Sequence, residues 1–119
     1  MKKIYIHTGD AGKKAALENI CKTLKIEMHN IKGSDLNRTV AAICGVSVGK
    51  NGAHTAAPAL YALPEILLFF GIDDSSLDSF LEAYNATGLE SIKRKAVITP
   101  VNLNWTLYEL AEALGKECQ

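Results

Sequence analysis

The residues best suited to bind an anion lie at the ends of two predicted strands. Thr8 and Gly9 follow the first strand, while Lys95, Thr99 and Asn102 lie in and after the last one. If the strands are parallel, their carboxyl ends share one edge of the sheet, which is where α/β proteins bind ligands. Hydroxyl, amide and ammonium groups at that edge would suit a small anionic ligand. Helix caps and turns use the same residue types, so a purely structural role is the competing interpretation.

A second group, Lys50 and His54, lies in the segment 46–63, which follows neither a helical nor a strand period. Loops this long in a compact domain are commonly mobile or functional. A histidine changes charge near neutral pH, which makes His54 the candidate for proton transfer. Should these two side chains converge with those of the last strand and its end, the chain would be a small enzyme acting on an anionic substrate.

The usual signs of an enzyme are missing from the rest of the sequence. Cys21 and Cys44 fall on apolar helix faces, Cys118 lies in the tail, and none has a neighbouring base. The histidines and cysteines are not at metal-ligand spacing, and two glycine-rich stretches miss the phosphate-loop spacing. We therefore expect no metal and no cofactor, and we identify no catalytic residue. The leading expectation is a non-enzymatic binding or regulatory module for a small ligand or a protein partner.

The charge balance narrows the class of partner. Thirteen Lys and Arg offset thirteen Asp and Glu among 119 residues, which argues against a dedicated nucleic-acid-binding protein. Residues 1–50 carry nine basic and four acidic side chains, and residues 51–119 carry four and nine. If these parts formed separate faces, the asymmetry would favour a homodimer or a small anionic ligand; a mixed solvated surface is the alternative. No apolar run is long enough to cross a membrane and no signal peptide is recognised, so we expect a cytoplasmic protein.

Hydrophobic periodicity predicts a single α/β domain over residues 1–119, with the element order β-α-β-α-β-α-β-α. Such alternation favours a four-stranded, mainly parallel sheet with helices packed on it, and the alternative is a ferredoxin-like α+β sandwich. The second strand is expected at a sheet edge because polar and apolar residues alternate in it. We see no internal repeat. The predicted strands are 3–7, 26–31, 65–71 and 95–99, and the predicted helices begin at 11, 35, 75 and 107.

The start of the last helix is the best-defined local feature. Thr106 and Glu109 have the spacing of a capping box, in which each side chain accepts a hydrogen bond from the other residue's backbone N–H. Trp105 and Leu110 have the spacing of a hydrophobic staple across the same helix start. We expect Trp105 also to fill part of the core.

The same region carries a K-x-x-x-T-P-x-N-x-x-W pattern that runs from Lys95 to Trp105. Asn102 is placed to bond the backbone of its own turn. Lys95 either extends to the rim of the sheet or joins Thr99 and Asn102 in an anion-binding corner. With the apolar strand and the helix before it, the pattern resembles a family of small prokaryotic proteins catalogued as a domain of unknown function, over residues 64–116. The resemblance implies a bacterial or archaeal cytoplasmic setting and no particular activity.

Overall fold

A computed structural model describes residues 2–46, 57–58, 61–99 and 102–117. The four predicted strands are confirmed, as is the start of the first helix. A 3-10 turn and a five-residue helix replace the helix predicted over 35–43. Most of the predicted long loop, including Lys50 and His54, lies outside the described residues. In chain order, the elements are β1 (Lys3–His7), α1 (Ala11–Leu24), β2 (Glu27–Asn30), a 3-10 turn (Gly33–Asp35), α2 (Val40–Cys44), β3 (Ile66–Phe70), α3 (Asp74–Ala86), β4 (Arg94–Val97), a second 3-10 turn (Asn102–Asn104) and α4 (Leu107–Glu117).

The last helix begins as its sequence predicts. The backbone N–H of Thr106 donates to Glu109 Oε1 at 2.9 Å, and the N–H of Glu109 donates to Thr106 Oγ1 at 3.2 Å. The capping box is therefore confirmed. Trp105, however, leaves 36% of its surface exposed, so the expectation that it fills the core is wrong.

The four strands form a mixed sheet in the order β2-β1-β3-β4. β1 pairs with β2 in parallel, and β3 pairs with β4 in parallel. The two central strands, β1 and β3, are antiparallel to each other. The chain is thus an α/β protein, but the expectation of a mainly parallel sheet is wrong.

The helices between parallel strands are longer than the helix between the antiparallel ones. α1 and α3 each span about 20 Å, enough to carry the chain back along a five-residue strand of about 17 Å. α2 has five residues and spans only about 8 Å, so this helix by itself does not return the chain along the sheet. β3 begins beside the end of β1, since Ile66 pairs with His7, and it runs opposite to β1.

Helices cover both faces of the sheet, so the ferredoxin-like alternative, with its helices on one face, is also wrong. On one face, α1 and α3 pack on Ile4, Ile6, Leu67 and Phe69. On the other face, α2 and α4 enclose a second core. The buried residues of that second core are Tyr5, Ile31, Val40, Cys44, Ile66, Leu68, Ile98, Leu107, Leu110, Ala111 and Leu114.

The chain consists of two halves with the same succession of elements. The first half runs from β1 to α2, the second from β3 to α4, and each is strand, helix, parallel strand, 3-10 turn and helix. The register is also the same, because the first residue of each leading strand pairs with the first residue of its parallel partner: Lys3 with Glu27, and Ile66 with Arg94. In the centre, Tyr5 pairs with Leu68, its own counterpart. The halves are related by a two-fold pseudosymmetry about that pair.

A trace of this relationship remains in the sequence, and the expectation of no internal repeat is wrong. The segment IKGSDLNRTV (31–40) aligns with ITPVNLNWTL (98–107) without a gap. In both segments a side chain closes the turn in the same way: Asp35 accepts from the N–H of Lys32 at 3.0 Å, and Asn102 accepts from the N–H of Thr99 at 2.8 Å. The two halves can therefore be compared residue by residue.

Candidate functional site

The residues predicted to form one site lie at opposite ends of the strands. Thr8 and Gly9 follow the carboxyl end of β1, whereas Thr99 and Asn102 follow the carboxyl end of β4. Since β4 runs antiparallel to β1, these ends are at opposite edges. Lys95 lies within β4 itself. The described residues therefore do not bring the two groups into one pocket.

Thr99 and Asn102 close the turn after β4. The side chain of Asn102 is 9% exposed, and its Nδ2 donates to the carbonyl oxygen of Val97 at 3.1 Å. Its Oδ1 accepts from the N–H of Thr99, and the hydroxyl of Thr99 accepts weakly from the N–H of Asn102 at 3.4 Å. The predicted bond of Asn102 to its own turn is confirmed. These polar groups hold the turn together.

Thr8 contacts an ion pair that the sequence analysis missed, in which Lys13 is buried and Glu65 is partly exposed. Its hydroxyl donates to Glu65 Oε2 at 2.6 Å, and Lys13 Nζ donates to Glu65 Oε1 at 3.0 Å. Lys13 is only 7% exposed although it carries a charge. The sequence did indicate that Lys13 is buried, because it lies four residues before the buried Leu17 on the apolar face of α1.

The ion pair holds a charge rather than moving a proton. The hydrogen bond to Glu65 raises the pKa of the Lys13 ammonium, outweighing the opposite effect of burial. A lysine that acts as a base or a nucleophile needs a lowered pKa. At the equivalent place in the second half, Lys2 Nζ donates to Ser76 Oγ at 2.6 Å and lies 3.6 Å from Asp73 Oδ1. Both corners therefore tie the residue before one central strand to the helix that follows the other central strand.

The cysteines of α1 and α2 behave as the sequence predicts. Cys21 and Cys44 are both buried and free. Burial raises the pKa of the Cys21 thiol to about 11 and also raises that of Cys44. Both are therefore protonated and unreactive near neutral pH. Among the described residues, no group of three or more His, Cys, Asp or Glu side chains is placed to hold a metal ion.

A groove along the outer side of β4 exposes apolar side chains that no described element covers. It has a volume of about 170 Å³ and lies between α3 and β4. Phe69 forms part of its lining, and Val97 is 43% exposed within it. We call it the β4 groove, and it is lined by Phe69, Leu77, Leu81, Lys95, Ala96 and Val97.

The β4 groove borders a strand that has no neighbour among the described strands on its outer side. β4 is the last strand in the sheet order, so half of its backbone N–H and C=O groups point away from β3. The groove thus combines exposed apolar side chains with available backbone hydrogen-bonding groups. The sequence analysis missed it because Leu77 and Leu81 have the helical spacing of core residues.

Comparison with the first half indicates that the fold does not require this groove to be apolar. The two-fold relationship places Lys14, Glu18 and Asn30 where the second half has Leu77, Leu81 and Val97. All three first-half residues are exposed. At these three positions the first half is therefore polar and solvated where the second half is apolar, whereas Met28 of the first half stands where the second half has Lys95.

The fold and the groove together define a three-layer α/β protein built from two related halves, with an apolar groove in the second. Comparison with protein families matches residues 65–119 to DUF3783, a domain of unknown function. This match confirms the resemblance found in the C-terminal part of the sequence. The matched segment coincides with the second half of the fold, the half that carries the β4 groove. No curated protein and no solved structure matches the chain.

Among the helices that the structure describes, none is both long enough and apolar enough to cross a membrane.

Proposed function

We propose that the chain is a non-enzymatic binding module whose β4 groove docks a segment of a protein partner. The observation that carries the proposal is the contrast between the halves at equivalent positions. Exposed apolar side chains gain free energy when a partner removes them from water. Leu77 and Leu81 pack partly on the core and Val97 is 43% exposed. Because the first half folds with Lys14, Glu18 and Asn30 at these places, folding does not require apolar residues here.

The internal contacts at the predicted anion-binding residues also favour this proposal over binding at the strand ends. The hydroxyl of Thr8 is engaged with Glu65, and the amide of Asn102 is engaged with the turn after β4. The alternative, a small enzyme acting on an anionic substrate, depends on Lys50 and His54 and stays a prediction. So do the expected homodimer and the expected cytoplasmic location.

The test is a selection from a displayed library of random short peptides against the purified chain. Binding sites of enriched peptides are then mapped by backbone amide shifts in NMR spectra. We expect enriched peptides to shift the amides of β4 and of α3 around Leu77 and Leu81. Enrichment of no peptide, or shifts confined to other surfaces, would contradict the proposal.

A variant of the second half supplies the matched control. Replacing Leu77, Leu81 and Val97 by Lys, Glu and Asn installs the side chains that the first half already carries at these positions. We expect this variant to fold, because the equivalent backbone tolerates those residues, and to lose the selected peptides. Retained binding in a folded variant would show that the groove is not the docking surface.

A further inference from the structure

We propose that the segment docked in the β4 groove is an extended strand that adds to β4, with an acidic and an apolar side chain two positions apart. The inference rests on the proposed function and goes beyond it by naming the conformation and chemistry of the partner. It follows from three features of β4: the direction of its backbone groups, the face on which its side chains lie, and its charge.

The backbone of β4 offers a short row of hydrogen-bonding groups. The N–H of Ile98 donates to the carbonyl of Phe69 at 2.8 Å, so this residue bonds inward to β3. Alternation along a parallel strand then directs the N–H groups of Lys95 and Val97 outward. The outward carbonyl of Val97 already accepts from Asn102 Nδ2. An added strand therefore finds three groups, the N–H and C=O of Lys95 and the N–H of Val97, with Asn102 marking the end of the row.

The side chains of the same two residues determine what the partner must carry. Lys95 pairs with Leu67, and Val97 pairs with Phe69, which puts both on the α3 side of the sheet. A partner side chain opposite Val97 would enter the groove beside Leu77 and Leu81. Directly opposite residues in neighbouring strands lie close enough to interact. An apolar partner residue is therefore favoured at that position.

The partner residue two positions from the one opposite Val97 lies opposite the positive charge of Lys95. Lys95 is exposed and makes no hydrogen bond or ion pair within the described ranges. A carboxylate opposite it would form a cross-strand ion pair, whereas a basic residue would be repelled. The partner segment thus carries an acidic residue, any residue, and an apolar residue, in the order set by the direction of the added strand.

A second copy of this chain supplies no such strand from its own sheet edges. Antiparallel pairing of two β4 strands would set Lys95 of each copy opposite Val97 of the other, which supplies no carboxylate for Lys95 and puts an ammonium group at the apolar position. The other edge, β2, presents Met28 on its α1 side and Asn30 two residues on, so it lacks an acidic residue there. Since neither described sheet edge of a second copy carries the required pair, we assign the occupant to a different protein.

The test measures binding of synthetic peptides by fluorescence anisotropy. The peptides alternate Thr with one Glu and one Leu placed two positions apart, in both orders. We expect one order to bind, and replacement of its Glu by Lys to weaken binding roughly three- to tenfold. Val97→Asn should weaken binding about tenfold, the loss expected for one buried apolar side chain. The matched control Asn30→Val, at the equivalent place in the first half, should leave the affinity unchanged.

Two further measurements separate this inference from the proposed function. Lys95→Glu should reverse the charge preference, so that the Lys peptide binds better than the Glu peptide. Methylation of the peptide backbone nitrogens that face β4 should abolish binding. Equal binding of Glu and Lys peptides, or unchanged binding after methylation, would overturn the extended acidic segment while leaving groove docking intact.

Two outcomes decide the remaining alternatives. If no selected or designed peptide binds at the groove, the proposed function itself fails. If sedimentation shows a dimer of the chain that Val97→Asn dissociates, the occupant is a second copy and the inference is overturned.

Discussion

Thr39 and Thr106 pair with each other in an antiparallel bridge, and each also caps the helix that follows it. The hydroxyl of Thr39 accepts from the N–H of Ala42 at 3.1 Å, and that of Thr106 accepts from the N–H of Glu109 at 3.2 Å. The bridge lies on the same two-fold relationship as the Tyr5–Leu68 pair of the central strands. The Tyr5–Leu68 pair joins the halves within the sheet, and the Thr39–Thr106 bridge joins them on the face that α2 and α4 cover.

Removal of the Thr106 hydroxyl should weaken the whole fold. Thr106→Ala deletes the acceptor for the N–H of Glu109 at a residue that is almost fully buried, and we expect a loss of about 1 kcal/mol in the free energy of unfolding. Thr106→Ser keeps the oxygen and should cost less. Urea titrations of both variants measure the difference. Equal stabilities of the alanine and serine variants would show that the cap contributes nothing.

Exchanging the order of the two halves should preserve the fold. A chain that begins with β3 and rejoins α4 to β1, through a linker as long as the segment 46–64, repeats the connection that already joins α2 to β3. We expect this circular permutant to fold with the same amide spectrum at Tyr5 and Leu68. A permutant that expresses as an unfolded chain would contradict the equivalence of the halves.

The ion pair between Lys13 and Glu65 predicts different losses of stability when one or the other partner is replaced. Glu65→Ala leaves the Lys13 ammonium buried without its counter-ion and should cost about 3 kcal/mol of stability. Lys13→Met should cost less, because Glu65 keeps the hydrogen bond from Thr8 and is partly exposed. Denaturant titrations at neutral pH compare the two variants. A larger loss for Lys13→Met would contradict this assignment.

The same pair gives stability a pH dependence of defined sign. The pKa of Lys13 is raised in the folded chain above its ordinary 10.5, so its contribution is fully present below that pH. The contribution is lost as the pH rises through the folded pKa. The advantage of the native chain over Lys13→Met should therefore shrink as the pH rises above 10.5. If the stability advantage of the native chain grew with rising pH instead, the raised pKa of Lys13 would be contradicted.

The end of α1 offers a stabilising substitution. Lys25 adopts a left-handed conformation with φ of 58°, and its counterpart at the end of α3, Gly88, has φ of 74°. A side chain in this region is strained, whereas glycine is not. We expect Lys25→Gly to raise the free energy of unfolding by about 0.5 kcal/mol, net of the added chain entropy of glycine. Lys25→Ala should give no such gain, and thermal denaturation of the pair distinguishes them.

Local patterns in the sequence predicted the elements of the fold better than their arrangement. The run from Ile66 to Phe70 is apolar throughout and is indeed a central strand. The capping residues Thr106 and Glu109 are where their spacing puts them. Strand direction was not readable from these patterns, because the alternation of strands and helices favours a parallel sheet whether or not each connection crosses over. The helical pattern over 35–43 also overestimated the length of α2.

The candidate site was harder to predict than the fold. Leu77 and Leu81 share one helical stripe with the buried Phe80 and Tyr84, and periodicity alone does not separate half-exposed leucines from core ones. Comparison with Lys14 and Glu18 makes the distinction, but it requires the two halves to be aligned. Outside the segments 31–40 and 98–107 the halves have diverged too far for their sequences to show that alignment.

Backbone amide hydrogen exchange tests the docking of an extended segment on β4 most directly. The N–H groups of Lys95 and Val97 point away from the sheet and should exchange fast in the chain alone. A saturating Glu–Leu peptide should slow both by at least tenfold, and it should leave the amides of β2, at the opposite edge, unchanged. Bound peptide with no protection of Lys95 and Val97 would contradict strand addition at this edge.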